Sequence, residues 1–457
     1  MALAPNSLAA KDVAYTLHPY TNLALHEEQG PFIITRGEGI NVYDEQGNKY
    51  MEGLAGLWCT GLGYSQKRLV DAATRQLQEL PYSHSFAHRA VVPTIELAEK
   101  IVSIAPKSLS KAFFVNSGSE AVDTAIKFVW YYNNALDRPK KKKIISRKRG
   151  YHGVTVAAAS LTALPYAQDG WDLPLDRFLH TNTPSHYRYA NPGESEEDFA
   201  TRLADALDKQ IMAEGPDTVA ALIAEPVMGA GGVMPPPKTY FEKIHKVLKK
   251  HDVLLIADEV ICGFGRTGEM FGCQTYGIEP DLLTCAKQLT SAYIPMGGVL
   301  VSDALYKAFV EYGKKLGMLG TGNTYGGHPV ASAVGLEVLK IYEDDNIIGH
   351  VKSLDKTFQT RLAEMGEHPL VGDARGVGLI GGLELVKDKA TKEQFPVGDK
   401  VAMRTAAKFL SENLILRPLP GDVIGICPPL IITEAELNDL FDRVKKGLDA
   451  MAAELGL

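Results

Sequence analysis

The chain has 457 residues and a net charge of −7. A chain of this length can bury a large core and form two domains, because single cores rarely grow beyond about 250–300 residues. Its apolar, charged, Gly and Pro contents are typical of a soluble globular protein, and its acidic charge offers no basic surface for nucleic acid and no strong attraction to a membrane.

The sequence predicts neither a secreted protein nor a membrane protein, and it predicts no disulfide bonds. The opening sequence MALAPNSLAAKD lacks the basic and apolar regions of a secretory signal, and no apolar run approaches the ~18–20 residues of a spanning helix. Five cysteines are scattered without C-x-x-C spacing: Cys59, Cys262, Cys273, Cys285 and Cys427. This distribution argues against zinc and against a disulfide framework, so we predict no metal site and a cytoplasmic protein.

The first predicted element is a pair of strands within residues 39–50, joined by an Asp/Gly turn. Further along the chain, short β-rich runs alternate with helical stretches. The β-rich runs are 112–115, 144–146, 219–224, 253–257 and 281–285, and helical examples are 120–131 and 239–250. Such alternation predicts an α/β protein with a mostly parallel sheet covered on both faces.

The C-terminal part has a different pattern, in which helical stretches at 351–365 and 433–455 flank a strand-like run and a Pro-rich segment. The strand-like run is 377–385 and the Pro-rich segment is 417–429. We therefore expect a large central α/β domain between terminal segments that pair into a smaller α+β domain. The expected boundaries are 1–59 and 331–457 for the terminal segments and 60–330 for the large domain.

A basic run spans residues 138–149 and has two interpretations. It could be a patch for polyanions, or a solvated loop that enters the strand at Ile144. We favour the solvated loop, because the run is short and the chain is acidic overall.

The segment Phe113–Ala121 reads as a strand that runs into the start of a helix. Ser117 and Ser119 can cap this helix, and Gly118 lets the backbone approach a ligand closely. Free N–H groups and the positive end of the helix suit a phosphate monoester. The alternative is an ordinary helix cap without a ligand.

Two more residues follow predicted strands of the same sheet. Tyr151 could stack on a planar ring, although an aromatic here could also be a packed turn residue. Glu225 ends a buried strand, and open α/β sheets bind ligands beyond the carboxyl ends of their strands.

The most informative pair is Asp258 and Lys287, which close two buried apolar runs. Pyridoxal phosphate needs such a pair: a lysine amine forms a Schiff base with its aldehyde, and an aspartate holds a proton on its pyridine nitrogen. Each run alone is common in α/β proteins, so the interpretation depends on the two occurring together with the phosphate segment.

Two Gly-rich segments give no indication of a nucleotide-binding site. Residues 263–268 lack both the P-loop ending and the dinucleotide register, so we interpret them as a loop with unusual backbone angles and a structural Arg266. Residues 322–329 offer the Thr324 hydroxyl to a phosphate, and His328 beside it is interpreted as a packed or turn histidine.

Together these segments resemble one family, the class III aminotransferases of the fold type I pyridoxal-phosphate enzymes, over nearly the whole chain. The similarity rests on seven segments in the family's order and spacing: 116–120, 151–153, 225–226, 258–260, 263–268, 286–287 and 324–325. Segments 57–59, 258–262 and 427–430 resemble the omega-transaminase branch, also called amine:pyruvate or omega-amino acid:pyruvate transaminases.

The resemblance implies pyridoxal 5′-phosphate as cofactor, present as pyridoxamine 5′-phosphate in the second half-reaction. Lys287 is the implied Schiff-base lysine and proton carrier, and Asp258 the implied partner of the pyridine nitrogen. The other implied cofactor-binding residues are Ser117, Gly118, Ser119, Tyr151, His152, Glu225, Val260 and Thr324. Thr324 is implied to reach across from a second subunit, so a homodimer is expected, with pairing into a tetramer as an alternative.

The family's omega branch also implies a mobile arginine that pairs with a carboxylate substrate and swings out for apolar amines. Arg417 stands at the matching place, and its planar fork suits a carboxylate. The alternative is a surface-loop arginine. The implied walls of the substrate pockets are Tyr20, Leu57, Trp58, Phe86 and Tyr151.

Some positions depart from the family pattern, namely Gln288 and Ala292 where Gly is frequent, Asn323 before Thr324, and an extra residue after Arg417. None removes a catalytic group, so they bear on substrate range. We therefore predict an omega-transaminase that moves an amino group from a primary amine or omega-amino acid to pyruvate, or another keto acid or aldehyde, by a ping-pong mechanism. The alternatives are an aminomutase, racemase or decarboxylase on the same cofactor, and a non-enzymatic binding protein.

Overall fold

The computed structural model describes residues 4–457, so the first three residues of the predicted segment 1–59 lie outside it. The N-terminal part contains two short helices, three strands and three further helices. They are α1 (Leu8–Tyr15), α2 (Leu23–Gln29), β1 (Ile34–Glu38), β2 (Asn41–Asp44), β3 (Lys49–Glu52), α3 (Ala55–Trp58), α4 (Lys67–Glu79) and α5 (Val92–Ile104). The predicted strand pair is present as β2 and β3, which pair antiparallel.

The middle of the chain alternates strands and helices as expected. Its elements are β4 (Leu109–Val115), α6 (Gly118–Ala135), β5 (Lys143–Arg147), α7 (Val156–Leu161), α8 (Pro165–Gln168), β6 (Phe178–Thr181), α9 (His186–Tyr189), α10 (Glu196–Glu214), β7 (Val219–Ala224), α11 (Tyr240–Lys250), β8 (Leu254–Asp258), α12 (Gly272–Tyr276), β9 (Leu282–Cys285), β10 (Gly297–Ser302) and α13 (Asp303–Leu316). Short 3-10 helices lie at Leu175–Arg177 and Lys287–Thr290.

The C-terminal part adds helices and a second group of strands. Its elements are α14 (Pro329–Asp344), α15 (Ile347–Gly366), β11 (Val371–Val377), β12 (Ile380–Leu385), a 3-10 helix at Val397–Asp399, α16 (Val401–Ser411), β13 (Leu414–Ile415), β14 (Arg417–Leu419), β15 (Val423–Ile426) and α17 (Glu434–Leu455). The predicted single strand at 377–385 is therefore the second half of a hairpin, and the Pro-rich segment carries β14 and β15.

The central sheet has seven strands in the order β4-β10-β9-β8-β7-β5-β6. Only β10 runs antiparallel to its neighbours, so the predicted α/β class with a mostly parallel sheet is confirmed. Every residue of β7 and β8 is buried, as expected for strands with helices on both faces. The carboxyl ends of β7, β8 and β9 meet at one edge, where Glu225, Asp258 and Lys287 follow.

A smaller sheet joins the two ends of the chain. Strands β1, β2 and β3 form an antiparallel meander, and β13 adds to it in parallel through the pairing of Leu414 with Met51. A third sheet, in the order β11-β12-β15-β14, is antiparallel throughout. The pairing of the two termini matches the expected small α+β domain, while its boundaries at residues 59 and 330 stay a prediction.

The solvated-loop interpretation of the basic run holds for residues 138–140, which are exposed in the connection after α6, and is wrong for Lys141, Lys142 and Lys143. Lys141 is only 5% exposed and donates to the backbone oxygen of His251 at 3.0 Å, at the end of α11. Lys142 donates to the backbone oxygen of Trp130 at 3.1 Å in the last turns of α6, and Lys143 to the Glu214 carboxylate at 2.7 Å, at the end of α10. Cations at helix carboxyl ends satisfy free carbonyls and the negative end of the dipole, so the run stabilises three helix ends.

Within residues 4–457, no helix combines the length and the apolar character needed to cross a membrane. All five cysteines are free thiols.

Candidate active site

The predicted phosphate segment forms a helix start at the edge of the central sheet. Ser117 caps α6, and its Oγ accepts a hydrogen bond from the Glu120 N–H at 3.1 Å. The N–H groups of Gly118 and Ser119 have no acceptor among residues 4–457. A Cβ on Gly118 would lie 3.0 Å from Cγ1 of Val260, so glycine is needed for this close packing. The turn therefore presents free N–H donors at the positive end of an 18-residue helix.

A second layer of hydrogen bonds holds this turn from behind. Oε2 of Glu120 accepts from the backbone N–H of Asn116 at 2.7 Å, from its Nδ2 at 3.0 Å, and from Nδ2 of Asn323 at 2.7 Å. Asn323, where the family usually has an apolar residue, thus ties the loop before α14 to the start of α6. Sequence reasoning did not find this role for Glu120.

Asp258 is the best-supported carboxylate at the sheet edge. Its Oδ2 lies 2.7 Å from Nδ1 of His152, and its Oδ1 accepts from the Val260 N–H and from Oγ1 of Thr284, both at 3.2 Å. Thr284 is the registered neighbour of Asp258 in the β8–β9 pairing. The buried Nε2 of His152 has no partner within residues 4–457. The carboxylate is thus fixed in one orientation by three donors.

Lys287 follows β9 directly and is the first residue of a 3-10 helix. Its φ of 49° is left-handed, a conformation that costs a non-glycine residue about 1–3 kcal/mol and that clusters at functional sites. Its amine has no hydrogen bond or ion pair among the described residues. Burial lowers the pKa of Lys287, and the positive charge of Arg417 lowers it further. Cys59 and Asp258 act in the opposite direction, but they do not outweigh burial. The site therefore favours a neutral, reactive amine.

Glu225 links two loops at the same edge. Its Oε1 accepts from the Tyr151 N–H at 3.2 Å, and its Oε2 accepts from the Gly229 N–H at 2.8 Å. Burial raises the pKa of Glu225 above its ordinary value, and the nearby positive groups His152 and Arg147 oppose this rise. The carboxyl group thus positions the backbone at Tyr151, beside His152 and Asp258.

Tyr20, Tyr151 and Tyr166 form a cluster near Arg417. The hydroxyls of Tyr20 and Tyr151 lie 3.3 Å apart, and the rings of Tyr20 and Tyr166 meet edge to face with centroids 5.7 Å apart. Burial raises the pKa of Tyr166 to about 12, with Arg417 opposing the rise. Tyr166 was not predicted, because it lies in α8, a four-residue helix without a recognisable motif.

Arg417 begins β14 and is half-buried. Its charge acts on Tyr151, Tyr166 and Lys287, so its guanidinium lies close to these groups. Within residues 4–457 it forms no hydrogen bond and no salt bridge. A partly buried guanidinium without a carboxylate partner loses part of its hydration without compensation. It is available to an anionic ligand.

The two neighbouring residues Leu57 and Trp58 have different environments. Leu57 is 54% exposed, whereas Trp58 is 1% exposed and packs in an apolar cluster with Leu419 and Val423 of the β14–β15 hairpin. Trp58 therefore supports the strand that carries Arg417. Its expected role as a pocket wall stays a prediction.

Phe86 and Thr324 lie together on a different part of the surface. Phe86 is 46% exposed, and its ring packs on Gly322, where a Cβ would lie 2.8 Å from the ring. The Tyr82 hydroxyl donates to the backbone oxygen of Thr324 at 2.9 Å. Neither side chain hydrogen-bonds to the Ser117–Ser119 turn or to Lys287 within the described chain. Phe86 and Asn323 border a cleft of about 1040 Å³ that also includes Phe114 and Met318.

Two further departures from the family pattern, at Gln288 and Ala292, have structural explanations. Gln288 does not face the lysine amine: it is fully buried, donates from Nε2 to the Gly263 oxygen at 3.0 Å, and accepts from Arg266 at 3.4 Å. Arg266 also donates to the backbone oxygen of Pro428 at 2.6 Å, so it is structural as expected. Ala292 adopts a left-handed φ of 62°, which explains why glycine suits this position. His328 caps α14 by accepting from the Val330 N–H at 3.2 Å, as expected for a turn histidine.

The arrangement fits an aromatic phosphate cofactor with an aldehyde. Free N–H donors at Gly118 and Ser119 suit the phosphate, and the fixed Asp258 carboxylate suits a protonated ring nitrogen. The side chain of Val260, in contact with Gly118, can bound one face of a flat ring, and Tyr151 the other. Lys287 supplies an unpaired amine. These groups therefore suit the phosphate, the ring nitrogen and the aldehyde of pyridoxal phosphate.

Comparison with known proteins agrees with this geometry. Residues 23–448 match the family described as "Aminotransferase class-III". Among curated proteins, gamma aminobutyrate transaminase 1, mitochondrial, of Solanum lycopersicum is 49% identical over 433 residues, which cover 94% of this chain and 84% of that protein. Probable gamma-aminobutyrate transaminase 2, mitochondrial, of Oryza sativa subsp. indica is 49% identical, with 96% of this chain and 89% of that protein covered.

Solved structures give the same result. A thermostable 6-fold mutant of an omega transaminase from Pseudomonas jessenii is 52% identical, with a TM-score of 0.97, and the match covers 99% of this chain and 100% of that one. The omega transaminase from the same organism in complex with PMP is 51% identical, with a TM-score of 0.97, and the match covers 98% of this chain and 99% of that one.

Proposed function

Because the chain belongs to the class-III aminotransferase family of fold type I pyridoxal-phosphate enzymes, we propose that it is an omega-transaminase with two dissimilar substrates. It takes the amino group of a primary amine or omega-amino acid and passes it to pyruvate, or to another keto acid or aldehyde, by a ping-pong mechanism. When bound, the cofactor supplies an electron sink that stabilises a negative charge developing next to the amine nitrogen.

The cofactor-binding set is the one expected from the sequence. Ser117, Gly118 and Ser119 hold the phosphate through their N–H groups, with Thr324 of a second subunit completing the site. Asp258, oriented by His152 and Thr284, keeps the ring nitrogen protonated. Val260 and Tyr151 cover the two faces of the ring. Glu225 holds the backbone of Tyr151 in place.

Lys287 acts as the acid and base of the reaction in this proposal. Proton transfer needs a neutral amine at the operating pH, and burial lowers the pKa of Lys287 in that direction. Its left-handed backbone points to a position fixed by the surrounding fold rather than by local preference. The free amine then takes the proton from the carbon next to the substrate nitrogen and returns it on the cofactor side.

The observation that carries the choice of substrates is the unpaired, half-buried Arg417 beside Tyr151 and Lys287. A guanidinium fork pairs bidentately with the carboxylate of pyruvate or of an omega-amino acid. The surrounding tyrosines offer apolar ring surface to an amine that has no carboxylate. Movement of one arginine side chain thus lets one site accept both kinds of substrate.

Gamma-aminobutyrate is included among the proposed donors. The curated relatives that are 49% identical carry the name gamma-aminobutyrate transaminase, and this compound has an omega-amine and a carboxylate that Arg417 can bind. The proposal that pyruvate is the acceptor rests on the same pairing, because its carboxylate can also bind Arg417.

We further propose a homodimer with shared active sites. Phe86 and Thr324 are exposed neighbours in this chain, without bonds to its own Lys287 site, which suits residues that complete the site of a second copy. The proposal also includes a cytoplasmic location, which the five free thiols support. The two curated relatives named above are called mitochondrial.

The test is alanine formation from pyruvate with purified protein, pyridoxal phosphate and one of β-alanine, gamma-aminobutyrate, 6-aminohexanoate or 1-phenylethylamine. One alanine for each donor consumed supports a transaminase. Donor loss without alanine favours an aminomutase, racemase or decarboxylase. Lys287→Ala should abolish turnover and keep the native oligomer, while the exposed Lys314→Ala should match the wild type. A normal rate in Lys287→Ala would refute the assignment.

A further inference from the structure

The N-terminal segment contains a cluster of three ligand-type side chains outside the active site. Oδ2 of Asp12 lies 2.8 Å from Nε2 of His18 and 3.1 Å from Nε2 of His26. The two imidazole rings are 4.3 Å apart between centroids. Asp12 lies in α1, His26 in α2, and His18 in the connection between them, so the cluster joins both helices and the loop.

We propose that Asp12, His18 and His26 form a binding site for a divalent transition metal ion of the Zn²⁺ type. One donor atom from each residue falls within 4.8 Å of the other two. In a tetrahedral zinc site, bonds of about 2.0–2.2 Å place neighbouring ligand atoms about 3.3 Å apart, so small side-chain rotations suffice. Two imidazoles and one carboxylate form a donor set that Zn²⁺ accepts, with water as fourth ligand.

The carboxylate of Asp12 supplies a negative charge to a bound cation. Ligation uses the Nε2 lone pair of each imidazole, so the ring proton moves to Nδ1. The side chains of His18 and Asp12 are 28% and 23% exposed, which leaves the site open to an ion from solvent.

The sequence predicted no metal site, because the histidines stand 6 and 14 residues after Asp12 and match no metal-binding motif. Folding of the helix pair brings them together. The loop between the helices also carries Tyr20, whose hydroxyl lies 3.3 Å from that of Tyr151. A bound ion therefore cross-links the segment that places one wall of the active-site opening. This inference does not depend on the proposed substrates.

Calorimetric titration of the chelator-treated holoenzyme with Zn²⁺ tests the site. We expect one ion per chain and a rise in Tm that grows with zinc concentration, since an ion that binds only the folded state stabilises it. Asp12→Asn and His26→Gln should each weaken binding at least about 10-fold, the scale for disturbing a metal site, and remove the rise in Tm. His368→Gln is the matched control, because His368 is paired with a single aspartate, Asp449, at 3.3 Å.

Cobalt provides a measurement that does not depend on the variants folding. Co²⁺ bound by nitrogen and oxygen ligands should give visible d–d bands without a sulfur charge-transfer band. A thiolate band, or zinc binding that is equal in the wild type, Asp12→Asn and His26→Gln, would place the ion elsewhere and overturn the proposal. Absence of binding to the wild type would also overturn it.

Discussion

The Oδ2 atom of Asp258 lies 2.7 Å from Nδ1 of His152, with both side chains buried at the carboxyl edge of the central sheet. The two residues are 106 positions apart in the chain. This pairing fixes the orientation of the carboxylate and leaves Nε2 of His152 buried without a partner among the described residues. In the proposed function, the ring nitrogen of the cofactor would meet this preoriented anion.

Asp258→Asn should slow the amine half-reaction by at least about 100-fold, the scale for losing one preorganised electrostatic partner. The amide cannot hold a proton on the ring nitrogen. The measurement is stopped-flow absorbance of the cofactor with a saturating amine. Asp281→Asn is the matched control, because Asp281 accepts from the Leu255 N–H at 2.9 Å at the opposite end of the same strands. A rate for Asp258→Asn within a few-fold of wild type would exclude the proposed role.

Arg417→Leu should separate the two kinds of substrate. We expect kcat/KM for pyruvate and for gamma-aminobutyrate to fall about 100-fold, corresponding to about 3 kcal/mol for a lost desolvated charge pair. The half-reaction with 1-phenylethylamine should stay within a few-fold of wild type, because this amine has no carboxylate. Arg404→Leu removes an arginine that is paired with Glu454 far from the site, and it should leave both reactions unchanged. Equal losses for all substrates in Arg417→Leu would contradict the assigned role.

Glu52 should make stability depend on pH in a defined direction. Burial raises its pKa from 4.5 to about 7, against hydrogen bonds from the backbone N–H of Leu54, at 3.1 Å, and from that of Gly56. The folded protein therefore binds more protons than the unfolded chain between these values. The stabilisation from this proton binding is complete below pH 4.5. It is lost as the pH rises through about 7, which lowers the free energy of unfolding by roughly 3 kcal/mol.

Glu52→Gln removes this proton linkage, so the fall in Tm between about pH 5 and about pH 8 should be smaller than in the wild type. Burial also raises the pKa of Glu259 to about 7. Glu259 therefore still lowers the Tm of the variant as the pH rises. Glu38→Gln, at an exposed glutamate, should reproduce the wild-type profile. Identical profiles for Glu52→Gln and wild type would show that Glu52 titrates normally in the folded state.

Gln288→Ala should affect stability rather than substrate range. The change leaves the Gly263 carbonyl without its donor, removes one of the acceptors of Arg266, and creates a cavity, with an expected loss of about 2–4 kcal/mol. Thermal unfolding should show a lower Tm, and the order of amine donors should be unchanged. The surface change Gln46→Ala serves as control. A new donor order at unchanged Tm would mean that Gln288 does act on the substrate.

Much of this site was predictable because its residues follow strands of one parallel sheet. Strands that are buried on both faces read as short apolar runs, and their carboxyl ends meet at a single edge. Asp258 and Lys287 could therefore be placed together from the sequence, and the cap at Ser117 followed from local helix-start chemistry. A polar Thr284 within the apolar strand β9 was an available signal for the residue that holds Asp258.

Other features depend on contacts that no local pattern encodes. The lysines at 141–143 could not be assigned to helix ends before the positions of α6, α10 and α11 relative to β5 were known. The bonds from Asn323 to Glu120, and the burial of Trp58 beneath the β14–β15 hairpin, likewise join distant parts of the chain. Gln288 looked like a neighbour of the reactive amine, but the 3-10 helix turns its side chain towards Gly263.

The most direct test of the account is the absorption spectrum of the purified protein with pyridoxal phosphate, followed during addition of amines without any keto acid. β-Alanine, 6-aminohexanoate and 1-phenylethylamine form the panel. We expect at least one amine to convert the absorption of the bound aldehyde cofactor to that of the aminated cofactor, and pyruvate to restore it. A cofactor band that forms and that no amine changes would contradict the assignment as a transaminase of these substrates.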